Sequence, residues 1–369
     1  MEIKELSKHK RIYNDLKQKI VSGEYPFGFQ LLPEIELSRQ LSISRPTVSK
    51  VYQNLQQEKL VEKRIGAGTF VIYQRERKAG LLIGLLLPGS GESEIFETIG
   101  DQIMKKSQER SFHCLWVGAS VNEPAVRRQY IEKVCQGYVD RKVDGVLFSP
   151  LERTEEKDEV NDRICAMLAR ANIPLVLIDR DTCSFPARSH YDLVSIDNFH
   201  AGFVMTQHLL DQQCRQLIFL HRPFSAPSVD MRIAGHQYAL TKAGLPPTAS
   251  QVLIGEPDEE AFVATIPVGS PEVGIICAND ATAAALMSTL KKRNVTIGED
   301  LVLVGFDDIR YAKHLLTPLT TYRQPCEAIG AAAVEILLAK IENPNRTPVQ
   351  VHLLGEIVVR ESSFFRKAG

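Results

Sequence analysis

From Leu81 onward, short uninterrupted apolar runs alternate with amphipathic stretches, and no other feature of the sequence narrows the fold as much. Residues 83–87, 113–117, 145–148 and 175–178 read as strands, separated by helical patterns at 96–110, 126–139 and 158–171. The series resumes with a strand at 194–196, a helix at 201–210, a strand at 216–220 and a helix at 231–243. A strand at 274–277, a helix at 281–293 and a strand at 301–306 follow. A long helix at 327–341 and a strand-like stretch at 349–359 complete the pattern. Strands that are apolar throughout, rather than on alternate residues, belong to parallel sheets covered on both faces. The spacing therefore predicts an α/β body built from βα units.

The first 73 residues follow another pattern. Residues 9–21 form a helix with Ile12, Leu16 and Ile20 on one face, and Gly23 supplies a stop. A Pro-Phe-Gly turn at 26–28 leads to a short second helix starting near Pro33 and carrying Ile35, Leu37 and Leu41. The third helix has Ser44 in the N-cap position. Val48, Val51, Tyr52 and Leu55 fall on one face at i, i+3, i+4, i+7 spacing. Pro46, Ser49, Lys50 and Gln53 occupy the other face, with Arg45 and Thr47 in the first turn. An amphipathic helix with Arg, Thr, Ser and Lys at its exposed N-terminal end suits the major groove, where Arg reads guanine and hydroxyls bond phosphate. The same pattern also describes a solvated surface helix. Residues 60–65 and 69–72 then read as two strands around the turn Gly66-Ala67-Gly68, a β-wing directly after the third helix.

Residues 9–72 resemble the DNA-binding domain of the GntR family. The matching stretches are Ser44-Arg45-Pro46-Thr47-Val48, residues 55–60, and Gly66-Ala67-Gly68-Thr69-Phe70-Val71. The resemblance implies a winged helix-turn-helix, with DNA contacts at Arg45, Thr47 and the wing glycine Gly66. The sequence departs from the family pattern at Ile35, where a basic or polar residue is usual, and at Ser49, where an Arg is common. Lys50 is the substitute expected for a phosphate contact. Ser44, Arg45, Thr47, Ser49, Lys50 and Gly66 are thus the candidate DNA-binding residues.

Charge agrees with this division. Residues 1–80 hold 15 Lys/Arg against 9 Asp/Glu, a balance of +6; subtracting these from the 44 and 45 of the whole chain leaves 29 against 36, a balance of −7. A basic head on an acidic body fits a protein of which only the head meets a polyanion. Residues 74–80 are polar, end in Gly and read as a linker. No apolar run approaches the ~18 residues of a membrane span, and residues 1–20 lack the apolar block of a signal peptide, so a cytoplasmic location without membrane contact is expected. The seven cysteines are scattered with no C-x-x-C pair, which opposes a disulfide framework and a zinc site.

In parallel sheets, ligands bind beyond the carboxyl ends of the strands. There the sequence places Asp179-Arg180-Asp181, Asp197-Asn198, Ala278-Asn279-Asp280 and Gly305-Phe306-Asp307-Asp308. Asp and Asn can bond vicinal hydroxyls, Arg can bridge two of them, and Phe306 or Phe224 could stack on a sugar ring. Asp197, Asn198, Asn279 and Asp280 are equally well placed to cap the following helices. No dinucleotide or P-loop motif follows a strand, so no cofactor is expected. No nucleophile elbow, H-E-x-x-H or other catalytic constellation is recognisable, which opposes an enzyme. His200 and His208 lie eight residues apart on one helix and read as a solvated face rather than a metal site.

The body, residues 81–369, resembles the effector domain of LacI/GalR regulators, which has the two-lobed periplasmic-binding-protein (type I) fold. The marks are Ile178-Asp179-Arg180, Val194-Ser195-Ile196-Asp197-Asn198, Arg232-Ile233-Ala234-Gly235, Ala278-Asn279-Asp280, Val304-Gly305-Phe306-Asp307-Asp308 and residues 319–325. The resemblance implies ligand contacts at Asp179, Arg232, Asn279, Asp307 and Gln324, with Arg180 added. It implies lobes at 81–195 with 322–347, and at 196–321 with 348–369. The pairing of head and body is similar in architecture to arabinose-repressor-type regulators. The expected function is a repressor whose operator binding is controlled by a small sugar in the interlobe cleft. The expected form is a homodimer, with the helix at 96–110 as the candidate surface. A non-enzymatic sugar carrier and a regulator responding to a purine are the alternatives.

Overall fold

The computed structural model describes residues 8–22, 24–25, 28–64, 66–73, 80–89, 93–117, 124–246, 250–268 and 272–365. Gly23, Pro26, Phe27, Ile65 and the linker residues 74–79 lie outside them. The chain divides into two compact units, residues 1–79 with 339–346, and residues 80–338 with 347–369.

The head contains α1 (Lys8–Ser22), β1 (Gln30–Leu31), α2 (Glu34–Gln40), α3 (Arg45–Gln57), β2 (Val61–Arg64) and β3 (Gly68–Val71). The period read in the third helix is its buried face: Val48, Val51, Tyr52 and Leu55 all enter one apolar cluster with Leu16 and Ile20 of α1. Burying such a face supplies most of the stability of a short helix. Tyr52 also donates its hydroxyl proton to the Leu32 carbonyl (2.7 Å). The wing is the antiparallel β2–β3 hairpin, and β1 adds to β3 through Gln30–Phe70 and Leu31–Thr69. A two-residue strand shows no periodicity, so the sequence pattern does not reveal β1.

The body holds two six-stranded sheets. In chain order the elements are β4 (Leu81–Leu86), α4 (Glu94–Arg110), β5 (Phe112–Trp116), α5 (Pro124–Asp140), β6 (Gly145–Phe148), α6 (Lys157–Arg170), β7 (Leu175–Ile178), β8 (Asp192–Ile196), α7 (Asn198–Asp211), β9 (Gln216–His221), α8 (Pro227–Lys242), β10 (Ser250–Ile254), α9 (Glu260–Val263), β11 (Val273–Cys277), α10 (Asp280–Lys292), β12 (Val302–Asp307), β13 (Thr320–Arg323), α11 (Cys326–Glu342), β14 (Gln350–Leu353) and β15 (Glu356–Val358). The first sheet runs β14-β8-β7-β6-β4-β5 and is parallel throughout; the second runs β10-β9-β11-β12-β13-β15 and is parallel except for β13–β15. Every residue of β6, β7, β8 and β11 is buried, as in a parallel sheet covered on both faces, Asp192 and Ser195 of β8 included.

The chain passes between sheets after Ile196, after Arg323 and after Leu353. The last two crossings correct the expected boundaries near 321 and 348. Arg323 still pairs with Asp307 in the second sheet, and residues 350–353 pair with β8 in the first. The stretch 349–359 is therefore two strands in two sheets, and apolar patterning alone cannot divide them. Gly355 marks the crossing: a Cβ there would sit 2.1 Å from the Arg323 carbonyl oxygen. β10, which the sequence pattern does not reveal, is an edge strand with no residue fully buried, and its apolar run Val252-Leu253-Ile254 is only three residues long.

Candidate functional site

In the head, Arg45 of α3 and Lys63 of the wing meet at one carboxylate of α2. Arg45 is exposed at the start of α3, its Nε 3.5 Å from Glu34 Oε2 of α2, and Lys63 of the wing approaches the other oxygen of Glu34 (3.3 Å). One carboxylate thus faces a cation from the third helix and a cation from the wing. Ser44 occupies the N-cap position without capping: its Oγ pairs with Thr47 Oγ1 (2.8 Å) and bonds no helix N–H. Lys50 is exposed and Ser49 half-buried one turn on. Gly66 at the wing tip has φ +77°, and its missing Cβ would face open space, so backbone conformation rather than packing explains glycine there. Sequence reasoning misses Glu34 and Lys63, because an acidic residue on a short helix carries no pattern of its own.

In the body, the carboxyl ends of both sheets surround a cavity of about 460 Å³. This lies within the ~300–1,000 Å³ range of small-molecule sites. Of the six expected ligand residues, Arg180, Asn279 and Asp307 line it. Gln324 touches this group from behind, donating from Nε2 to Asp307 Oδ1 (2.7 Å), while its buried Oε1 has no partner. Asp179 and Arg232 stand one layer back. Asp179 accepts from Arg180 Nε (2.9 Å). Arg232 donates from Nε to Asn198 Oδ1 (2.8 Å) and from Nη1 to the Ala278 carbonyl (2.6 Å), fixing the strand end that presents Asn279. Its guanidinium covers Phe306, 4.5 Å from the ring centroid. Phe306 is fully buried and Phe224 does not line the cavity, so neither is the expected stacking face. Tyr130 and Tyr311 line the wall instead, while Phe96 is buried beneath the Arg180 guanidinium.

The capping and ligand readings prove compatible at one position. Asn279 accepts from Thr282 N–H (2.8 Å) as the cap of α10 and also lines the cavity. Asp197 caps α7 through His200 N–H (2.9 Å). Among the described residues no His/Cys/Asp/Glu cluster could hold a metal; His208 is tied to Ser363 (2.8 Å).

Glu152 and Arg153, at the end of β6, are the principal lining residues that sequence reasoning misses. The strand-end rule that picked out the other residues applies to β6 as well. Arg180 bonds Glu152 through Nη1 (2.5 Å). Burial opposes its charge, but the carboxylates of Glu152 and Asp179 overcome burial and hold its pKa above the ordinary arginine value. Glu152 answers reciprocally: burial raises its pKa, and Arg180 brings it below the usual carboxylate range. The two lobes also meet directly. Arg153 N–H donates to the Phe224 carbonyl (2.6 Å), Ala226 N–H to Glu152 (3.2 Å), and Arg310 N–H to Glu94 (2.6 Å).

Asp307 is the most perturbed lining group. Burial pushes its carboxyl up to about 7, against the pull of Arg232 and the Gln324 hydrogen bond, with Asp179 and Glu152 adding to the rise. Its φ of +112° is a backbone state that L-residues rarely adopt. The folded protein holds this proton more tightly than the unfolded chain does. The stability it contributes is therefore complete below the unfolded value of about 4 and is lost as pH rises through about 7. The ligand-free protein is expected to melt higher at about pH 6 than at about pH 8, by at most ~1.4 kcal/mol per pH unit for this one group. Asp307→Asn should flatten that dependence, as followed by thermal melts across the range. An unchanged slope in the variant would assign the dependence to other groups.

Comparison with known proteins agrees with this fold. Residues 8–71 match the family of bacterial regulatory proteins called gntR, and residues 206–363 match the periplasmic binding protein-like domain. The arabinose metabolism transcriptional repressor of Geobacillus stearothermophilus is 22% identical over 380 residues, covering 100% of this chain and 99% of its own. The HTH-type transcriptional repressor PurR of Vibrio campbellii is 29% identical over 240 residues, 64% of this chain and 68% of its own. A LacI family regulator from Enterococcus faecium, solved with bound ribose, superposes with a TM-score of 0.61 at 22% identity, covering 78% of this chain and all of that one. The lac repressor dimer bound to operator and an anti-inducer gives a TM-score of 0.61 at 19% identity, over 78% and 96% of the two chains. The head, residues 8–71, carries the domain of the gntR family and residues 206–363 the periplasmic binding protein-like domain, joined as in the full-length arabinose repressor relative: the chain is a DNA-binding transcription regulator with a ligand-binding domain.

Proposed function

We propose that the protein is a repressor that acts as a homodimer on operator DNA in the cytoplasm, catalyses no reaction, and is controlled by a sugar bound between the lobes. The observation that carries this reading is the cavity where Arg180 of the first lobe meets Asn279 and Asp307 of the second, with the unpartnered Gln324 Oε1 beside them. A carboxylate, an amide and a guanidinium converging from two lobes, with Gln324 behind them, can hold a polyol only when the lobes are together. Ligand binding then favours the closed arrangement, and lobe closure alters the spacing of the two heads in a dimer. Heads one helical turn apart read a palindromic site.

The test is a thermal-shift screen of the purified chain against pentoses and hexoses, since a ligand that binds only the native state raises the melting temperature. A sugar that gives a clear shift, lost in Asp307→Ala, supports the reading; no shift with any sugar removes it. A nucleobase effector is the second reading, favoured by Tyr130 and Tyr311 on the cavity wall, and the same screen with purines separates the two.

At the head, Arg45→Ala is expected to weaken operator binding by about 1–3 kcal/mol if the guanidinium reads a base. Fluorescence anisotropy with a labelled duplex measures this, and unchanged affinity removes Arg45 from the contact surface.

A further inference from the structure

The cavity contains a positive charge that the sugar reading does not use. Arg153 follows β6 on the first lobe and lines the cavity together with Arg127 of α5. Among the described residues its guanidinium makes no hydrogen bond and no ion pair. The two carboxylates facing it are committed elsewhere: Glu152 to Arg180 and to Ala226 N–H, and Glu256 to Arg222. Burial, then the charge of Arg222, and more weakly that of Arg127, depress the Arg153 pKa despite Glu256 and Glu152. Arg153 is exposed to the open cavity, so water solvates its guanidinium in the ligand-free protein and its paired N–H donors can take an anion without first breaking an ion pair.

Neutral hydroxyls make no use of that charge. Asp307, Asn279 and Arg180 already provide acceptors and donors for a neutral polyol on the same cavity wall. We propose that the effector is an anionic carbohydrate, a sugar bearing a phosphoryl or carboxylate group, and that Arg153 forms the subsite for that group while Asp307 and Asn279 hold the hydroxyls. This rests on the sugar reading above and narrows it. A planar guanidinium offers two parallel N–H donors to either anion. The Arg153 backbone is itself fixed by its bond to the Phe224 carbonyl of the second lobe, so an anion at Arg153 reports on lobe contact as well as on charge.

The experiment is isothermal titration of the full chain with matched sets: pentoses and hexoses, their terminal phosphate esters, and the corresponding sugar acids. One anionic member is expected to bind at least about tenfold tighter than its neutral parent, the factor one charge-assisted hydrogen bond supplies. That ratio should collapse towards one in Arg153→Gln, stay intermediate in Arg153→Lys, and shrink with added salt. The phosphate and acid arms identify which anion is recognised. Neutral sugars binding as tightly as their anionic derivatives, or a ratio that survives Arg153→Gln, would overturn the subsite and leave the sugar reading intact. Absence of binding by every carbohydrate overturns both. If the Gln variant does not fold, the ratio in the Lys variant, unchanged or reduced, decides.

Discussion

Arg180→Ala is expected to destabilise the body by about 3–5 kcal/mol, the cost of removing one partner from a buried ion pair. Arg180 is 5% exposed and holds Glu152 at 2.5 Å and Asp179 at 2.9 Å. Without it, two carboxylates remain beside the buried Asp307 with no cation between them. The folded Glu152 pKa, no longer held down by Arg180, rises, so the loss is largest at neutral pH and shrinks as pH falls towards the unfolded carboxylate value near 4. Trp116 is the single tryptophan and lies in β5, so its fluorescence during urea unfolding reports on the body without the head. Adding Glu152→Gln and Asp179→Asn should recover part of the loss, because the uncompensated charges go with them. A single-variant loss under about 1 kcal/mol would mean that water or a rearranged side chain replaces the guanidinium.

Gly235→Val is expected to cost about 3 kcal/mol or more, at the upper end for overpacking. Helices α7 and α8 cross with backbone against backbone. A Cβ on Gly235 would stand 2.0 Å from the Phe199 carbonyl oxygen, and one on Gly202 2.0 Å from the Arg232 carbonyl oxygen. No flexible side chain is available to yield, so the helices must separate. Separation also draws Arg232 away from Ala278 and Asn198, loosening the strand end that presents Asn279. The variant should therefore lose effector binding along with stability, and hydrogen exchange at the α7 and α8 amides should report the opening. Gly137→Ala is the control. It lies in α5 with only the tip of Arg141 at 3.1 Å, and replacing a helical glycine there is expected to be neutral or stabilising by up to ~1 kcal/mol. Equal effects at the two positions would show that the α7–α8 crossing is softer than its geometry implies.

The parts legible in the sequence are those where a single period or a single rule governs several residues. The buried face of α3 follows from four residues at helical spacing, and the fully apolar strands β6 and β7 signal a parallel sheet. The rule that ligands gather at strand ends picks out Arg180, Asn279 and Asp307, and the fold brings all three into one cavity. What stays hidden depends on contacts distant in sequence. Neither the two-residue β1 nor the exposed edge strand β10 carries enough apolar pattern to be seen. Division of the last strand into β14 and β15 is set by the close passage of Gly355 at Arg323. The position of Arg232 behind the cavity, the burial of Phe306 and the pairing of Glu152 with Arg180 are all tertiary facts that no local spacing encodes.

The central claim is that a carbohydrate in the body controls DNA binding by the head. The most direct measurement takes genomic fragments selected by the full chain and determines their affinity with and without a saturating concentration of the sugar or sugar derivative that raises the melting temperature. The ligand is expected to change operator affinity by at least about tenfold, a coupling free energy near 1.4 kcal/mol, and Asp307→Ala should abolish the change while leaving operator binding in the absence of ligand intact. An operator affinity that is the same with the cavity filled or empty would contradict the claim.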